Sequence, residues 1–401
     1  MAIYDLLVKG GTLIDPAQGI HATRDIVFAR GLVAAVEADI PTAQATGVVY
    51  ADGLFVVPGM IDLHVHVFEG VSHLGIPPDP TCLAHGVTTV VDAGSAGADT
   101  FEGFRKYVIE VSATRIYAQL NISSQGMLSP RIGELDDLKW ADVPRALQTI
   151  ERHKDLILGI KVRLTRNSIV GEAAGLTPLY RAREAADAAG LPVMVHPSDA
   201  WCASLDDVLA VMKARDILTH TYHGHRTGIL DDDGKVRRSA WEARERGVIF
   251  DVGHGAGSFN WQVCEAALAQ GFPPTTLSSD LHTLSVRGPS FDLPTTVSKF
   301  LHLRLSLDEA LAKVTAVPAQ VIGMAGRIGT LAVGAWGDAA LLALEEGNFP
   351  LVDCHGAVRH ARQRLVARNV IKGGRVYASG PATPVAHFHE AIAIDRRGER
   401  V

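Results

Sequence analysis

The chain has 401 residues, enough for a large core and for more than one structural unit. Hydrophobic residues make up 47% and charged residues 20%, with a formal net charge of −6, so neither a nucleic acid nor an anionic membrane surface is expected as partner. No apolar run approaches the roughly 20 residues of a membrane-spanning helix, and the opening "MAIYDLLVKGGTLIDP" lacks a signal-peptide layout.

Cys82, Cys202, Cys264 and Cys354 are scattered without a CxxC pair, which suits a reducing, cytoplasmic setting rather than a disulfide framework. Seventeen histidines against seven tyrosines is the compositional oddity, and it points toward metal.

Residues 1–57 read as short strands. "DLLVKGGTLIDP", "RDIVFARGLVAAVE" and "GLFVVPG" are apolar or alternating and are broken by Gly-Gly, Asp-Pro and Arg-Gly. From residue 58 to 325 short apolar runs alternate with helix-period segments, the pattern of βα units on a parallel sheet. Strands are expected at 60–66, 87–94, 115–123, 156–164, 191–196, 216–220, 247–253 and 275–280. Helices are expected in such stretches as "ELDDLKWADVPRALQTIERHK", "TPLYRAREAADAAG", "SLDDVLAVMKAR", "SAWEARERG" and "NWQVCEAALAQG". Eight such units predict an α/β fold of the (β/α)8 TIM-barrel type. A doubly wound open sheet would want a GxGxxG turn after the first strand, and the sequence has none there. After residue 326 glycine-punctuated strands return, and "IKGGRVYA" echoes the early "VKGGTLID". One small β-sandwich domain built from 1–57 and 326–401 is the simplest account of both ends.

The stretch "VVPGMIDLHVHVFEG" (56–70) carries His64 and His66 one residue apart. Alternation along a strand sends both imidazoles to one face, where they look like half of a metal site. Barrel active sites gather at the C-terminal strand ends. Lys161, His196, His220 and Asp280 fall at those ends or within those strands. A single strand-end histidine is usually structural and a single aspartate usually an N-cap, but six such residues on one rim are hard to explain that way. An ammonium at Lys161 would cost several kcal/mol to bury unpaired. A neutral amine, or a carbamate formed with carbon dioxide, removes that cost. Arg163, two residues on, would aim at the same mouth and suits a substrate carboxylate; a salt bridge to a neighbouring loop fits equally well. His254, in glycine-rich "DVGHGAGSF", and His282, two residues after Asp280, are candidate substrate contacts. Asn121 reads as polar filling, and the loop histidines His223 and His225 are left outside the site.

Together "DLHVH", "GIKVRLT", "VMVHPSD", "LTHTYHG" and "SSDLH" resemble the amidohydrolase superfamily over nearly the whole chain, and most resemble its deacetylase branch often labelled dihydroorotase-like. The resemblance implies one zinc ion on His64, His66 and Asp280 and a second on His196 and His220, bridged by carboxylated Lys161 and a hydroxide. It implies Asp280 as the acid–base residue. The implied reaction is hydrolysis of an acyl amide or ester of a small carboxylate-bearing molecule, such as an N-acetyl amino acid or O-acetyl hydroxy acid. A cyclic-amide hydrolase shares every ligand and is the nearest competitor; a silent homologue acting as an assembly partner is disfavoured because all six positions are filled. The expected partner is a small molecule, with no nucleic acid or membrane, and a homo-oligomer is compatible with the sequence.

Overall fold

In the computed structural model, which describes residues 3–166 and 169–380, seven parallel strands follow one another in chain order round a curled sheet. They are Met60–Val65, Val87–Gly97, Arg115–Asn121 and Ile157–Arg163, then Val193–His196, Ile217–Leu218 and Ile249–Phe250. Both faces are covered, as a parallel sheet requires, so the strands are apolar almost throughout. Leu120, Ile160, Val162 and Val195 are fully buried; each such side chain stabilises the fold by about 1.5–3 kcal/mol relative to exposure. The register sets Asn121 beside Lys161 and Arg163 beside His196, which brings the polar strand ends level.

The expected strand at 275–280 is not a regular strand. The segment meets both edges of the sheet through isolated bridges, Asp251 to Thr276 and Val65 to Leu281. Backbone bonds run from Val252 to Thr276 at 3.2 Å, from His254 to Ser278 at 3.2 Å and from His66 to Leu281 at 2.9 Å. Two causes interrupt the ladder. Ser278 and Ser279 spend their hydroxyls on Asp251 and Asp62, and Asp280 has a left-handed φ of 44° that ends the extended run.

The helix expected from Glu134 begins later, at Val143, and runs to Arg152. Asp142 caps it by accepting from the Arg145 N–H at 3.0 Å, with Pro144 in the first turn. Upstream, Glu134 is drawn inward to Arg163 instead of continuing a helix. The helices Thr177–Ala189, Leu205–Leu209 and Trp261–Ala269 lie within their expected stretches, Arg238–Glu245 begins one residue before its own, and a further helix runs at Leu293–His302.

Strands from both chain ends form two further sheets. Tyr4–Lys9, Asp25–Ala29, Leu32–Glu37 and Ala45–Tyr50 make a four-stranded sheet. In the six-stranded sheet Phe55–Pro58 lies between Thr12–Asp15 and the long strand Ala339–Val352. Leu13, Phe28, Val56, Leu341 and Ile371 pack in one apolar cluster drawn from both ends. Residues 381–401 of the expected second segment lie outside the described residues. No helix among the described residues is long and apolar enough to cross a membrane.

Candidate metal centre

Strand alternation delivers His64 and His66 to the same side, with ring centroids 5.5 Å apart. Asp280 reaches them from the irregular eighth segment. Its Oδ1 lies 3.4 Å from His64 Nε2 and 3.3 Å from His66 Nε2. One ligand atom from each of these three buried residues falls within 4.8 Å of the others.

The proton arrangement follows from the partners behind the rings. His64 Nδ1 is 2.7 Å from Thr219 Oγ1, whose hydroxyl donates to Asp251 Oδ2 at 2.9 Å. A carboxylate only accepts, so the Thr219 proton points to Asp251 and its oxygen must accept from His64 Nδ1–H. His66 Nδ1 meets Ser95 Oγ at 2.9 Å, and the Ser95 backbone N–H donates to Asp92 Oδ1 at 2.7 Å. His64 Nε2 is therefore a bare lone pair, and it and His66 Nε2 both face Asp280 Oδ1, a buried oxygen without a hydrogen-bond partner. His64 Nε2 and Asp280 Oδ1 thus converge with no proton between them. A divalent cation fits this donor set: neutral imidazole and carboxylate suit zinc, and the outward Nδ1 of each ring is held as metal-ligating histidines usually have it.

Lys161, His196 and His220 stand beside this group. Lys161 Nζ is 3.4 Å from His64 Nε2. The His220 ring lies 4.9 Å from that of His64 and 4.2 Å from that of His196. His220 adopts a left-handed φ of 60°, and its Nδ1 donates to the Gly253 carbonyl at 2.6 Å, which leaves Nε2 free. Gly94 gives the Lys161 stem its room, since a Cβ there would stand 2.6 Å from Lys161 Cβ. Burial pushes the Lys161 amine down to about 7 and holds His64, His196 and His220 well below the usual imidazole range, so all four favour their neutral forms. Burial also raises Asp280, against the pull of His282, Lys161 and Arg163. Lys161, His196 and His220 thus adjoin the group of His64, His66 and Asp280.

Relatives share this frame from end to end. A deacetylase of Agrobacterium fabrum is 33% identical over 92% of this chain and 91% of its own length. A deacetylase of Enterococcus faecalis is 33% identical over 93% and 99%, respectively. The chain belongs to the amidohydrolase family. Residues 281–378 also match the profile described as Amidohydrolase family. Among solved structures, one titled as an adenine deaminase superposes with a TM-score of 0.85 at 33% identity, covering 93% of this chain and 99% of that one. One titled as a dihydroorotase gives 0.84 at 33%, covering 94% and 98%.

In this amidohydrolase His66, His196, His220, Asp280 and Lys161 line a cleft of 390 Å³. Its walls include Arg163, Leu74, Pro130, Leu284 and His282. Arg163 is ion-paired to the buried Glu134, which also receives the Asn121 amide at 3.4 Å. The guanidinium lines the cleft while one edge is held by that carboxylate. His282 accepts the Leu284 N–H at Nδ1, 3.1 Å away, so its neutral ring carries the proton on Nε2, 3.9 Å from Asp280 Oδ2. His254 is not among the cleft-lining residues. It is fully buried, stacks on Phe259 with centroids 4.7 Å apart, and has Nδ1 on the Gly255 carbonyl and Nε2 on Lys299. The glycines around His254 bring backbone close to Asp280 while the imidazole itself turns away. His225, set aside in the sequence, does line the cleft and bonds the Gly257 carbonyl at 2.8 Å. Glu134, Ser95, Thr219 and Asp251 escaped notice as site residues. Only the strand-end position of Asp251 in "VIFDVG" carried a signal.

Proposed function

We propose that this amidohydrolase is a deacetylase. It hydrolyses an acyl amide or ester of a small carboxylate-bearing substrate, such as an N-acetyl amino acid or an O-acetyl hydroxy acid, in the cytoplasm. The observation that carries this reading is the coincidence of the His64–His66–Asp280 group with likeness to deacetylases over more than 90% of each chain.

On the same footing residues 58–325 form a (β/α)8 barrel in which segment 275–281 takes the eighth strand position, and the described residues of 1–57 and 326–401 form a composite β-sandwich. The bridges at Asp251–Thr276 and Val65–Leu281 support the first part, and the antiparallel pairing of Phe55–Pro58 with Ala339–Val352 the second.

His64, His66 and Asp280 would hold one zinc ion, and His196 and His220 a second. Carboxylated Lys161 would lie between them. Such ions supply Lewis acidity toward the scissile carbonyl and lower the pKa of water. The chain's own residues do the rest. Lys161, whose depressed pKa of about 7 leaves a large neutral fraction near neutral pH, attacks carbon dioxide in its neutral form through the nitrogen lone pair and releases one proton, which gives a carbamate anion. Asp280 takes a proton from the attacking water and passes it to the departing amine or alcohol. Arg163, steadied on one edge by Glu134, orients the substrate carboxylate. His282 offers its Nε2–H to a substrate oxygen. Leu74, Pro130 and Leu284 shield the cleft from water.

A cyclic-amide hydrolase is the second reading, favoured by the structural likeness to a protein titled as a dihydroorotase. Metal analysis followed by assay of N-acetyl and O-acetyl carboxylates beside dihydroorotate and hydantoins separates the two. Acetyl release is expected; turnover of cyclic amides alone would replace the first reading by the second. Two bound metals with no hydrolysis of the panel would favour a silent homologue. Asp280→Asn is expected to keep the fold and lose turnover by orders of magnitude.

A further inference from the structure

Each of the first-strand histidines is backed by a carboxylate, yet neither imidazole N–H has a carboxylate as its hydrogen-bond partner. A hydroxyl stands between His64 and Asp251, that of Thr219, and the Ser95 hydroxyl meets His66 Nδ1 while its own backbone N–H bonds Asp92. His64 Nδ1 is 3.9 Å from Asp251 Oδ2, beyond hydrogen-bond distance, so without Thr219 the ring has no acceptor in contact. We infer that the Thr219 and Ser95 hydroxyls are positioning groups that fix the tautomer of His64 and the orientation of His64 and His66 for cation binding. This rests on the metal-centre reading given above.

The chemistry of the chain of bonds carries the argument. An isolated neutral imidazole places its proton on either nitrogen. Here the order is one-way, because Asp251 can only accept and Thr219 has a single proton to give. The hydroxyl thereby becomes an acceptor for Nδ1–H and excludes the tautomer that would put a proton where the cation belongs. The polarised hydroxyl also makes His64 a more basic ligand, as a carboxylate in direct contact would.

A purely structural role for these hydroxyls is distinguishable because both carboxylates are secured without them. Asp251 also accepts from Thr276 Oγ1 at 2.7 Å and Ser278 Oγ at 2.6 Å. Asp92 accepts from the backbone N–H groups of Val67 at 2.8 Å and Ser95 at 2.7 Å. Removal of either hydroxyl therefore leaves no buried carboxylate unsatisfied. What it leaves unsatisfied is the imidazole.

The test compares wild type with Thr219→Val, Thr219→Ser and Ser95→Ala. Zinc affinity is read by competition against a chromophoric chelator, with thermal unfolding of each metal-stripped protein measured alongside. Thr219→Val and Ser95→Ala are expected to weaken zinc binding by about 10–100-fold. Their metal-free unfolding midpoints fall modestly, by the cost of one unsatisfied buried imidazole N–H, and Thr219→Ser restores tight binding. Unchanged zinc affinity in Thr219→Val, with a wild type that binds zinc, would overturn the positioning role while sparing the metal centre. A fall in the metal-free midpoint that Thr219→Ser repairs without a change in affinity would make the hydroxyl structural and likewise overturn it. A wild type that binds no zinc would instead defeat the metal-centre reading itself.

Discussion

Gly255 packs so closely against Asp280 that a β-carbon on the glycine would stand 2.2 Å from Asp280 Oδ2. The contact is built from backbone on one side, since the Gly255 N–H bonds the Ser279 carbonyl at 2.9 Å, and Gly255 itself holds a left-handed φ of 54°. Gly255→Ala therefore meets both strain and collision, and the movable partner is the Asp280 carboxylate. Displacement on the scale of 1 Å at a reacting group costs about 10²-fold in rate. Turnover of Gly255→Ala is expected to fall by about that factor, with far-ultraviolet circular dichroism unchanged. A variant with wild-type kcat would show that Asp280 tolerates the shift and so is not held to a narrow position.

Lys161 is wholly enclosed, with His64 Nε2 at 3.4 Å and burial favouring its neutral form. If its carbamate supplies the anionic bridge, Lys161→Ala removes that anion and leaves a space where the side chain was. The variant is expected to retain less zinc than wild type after dialysis, and short carboxylic acids should restore part of the activity by entering the space. Full metal content and activity in Lys161→Ala, measured by elemental analysis and assay, would remove the lysine from the metal centre.

The Arg163–Glu134 pair yields a split between substrates. A charge-assisted hydrogen bond contributes about 1.5–3 kcal/mol, which is about a 10–100-fold effect. Arg163→Met is expected to lower kcat/KM by that range for a carboxylate-bearing acetyl substrate and much less for its methyl ester at the carboxylate. Glu134→Gln should act in the same direction but more weakly, because the guanidinium stays but loses its tether. Equal losses on the charged and esterified substrates would show that Arg163 serves the wall of the cleft and not recognition of the carboxylate.

The candidate metal-centre histidines were legible because a two-residue strand period and the shared rim of a curled parallel sheet turn sequence spacing into geometry. His64 and His66 follow from period alone. Lys161 stood out because a cation in an apolar strand has no cheap explanation. The hydroxyls behind the histidines were not legible: Ser95 and Thr219 are ordinary residue types, and their partners lie 29 and 155 positions away in the chain. Glu134 failed for a different reason. Its helix-like surroundings promised a continuous helix, and a tertiary ion pair with Arg163 overrode that local preference. His254 shows the limit of reasoning from glycine context, since close backbone approach at Gly255 serves Asp280 while the imidazole pairs with Lys299. The segment at 275–280 was placed correctly but not as a regular strand, because hydrogen bonds to side-chain carboxylates replace part of its ladder.

Away from the cleft, the partly exposed His85 and the buried Asp292 form a pair at 3.3 Å that makes stability depend on pH. Burial disfavours the charge on His85, but the hydrogen bond and charge of Asp292 outweigh it and raise the imidazole above its ordinary 6.5. Burial likewise opposes ionised Asp292, and His85 with the Thr295 N–H and hydroxyl reverse the balance, holding it below its ordinary 3.8. A raised histidine contributes stability that is complete below its unfolded pKa and is lost as pH rises through the folded one. A depressed carboxyl contributes stability that is present above its unfolded pKa and is lost as pH falls through the folded one. The pair is therefore strongest between the two ordinary values. His85→Gln keeps a hydrogen-bond donor and removes the charge, so the gap in unfolding midpoint between wild type and His85→Gln should be widest near about pH 5–6. It should narrow as pH rises from about 6.5 through the folded pKa of His85 and then level off. A gap that stays constant from pH 5 to about 9 would show that the imidazole acts through packing and not through its charge.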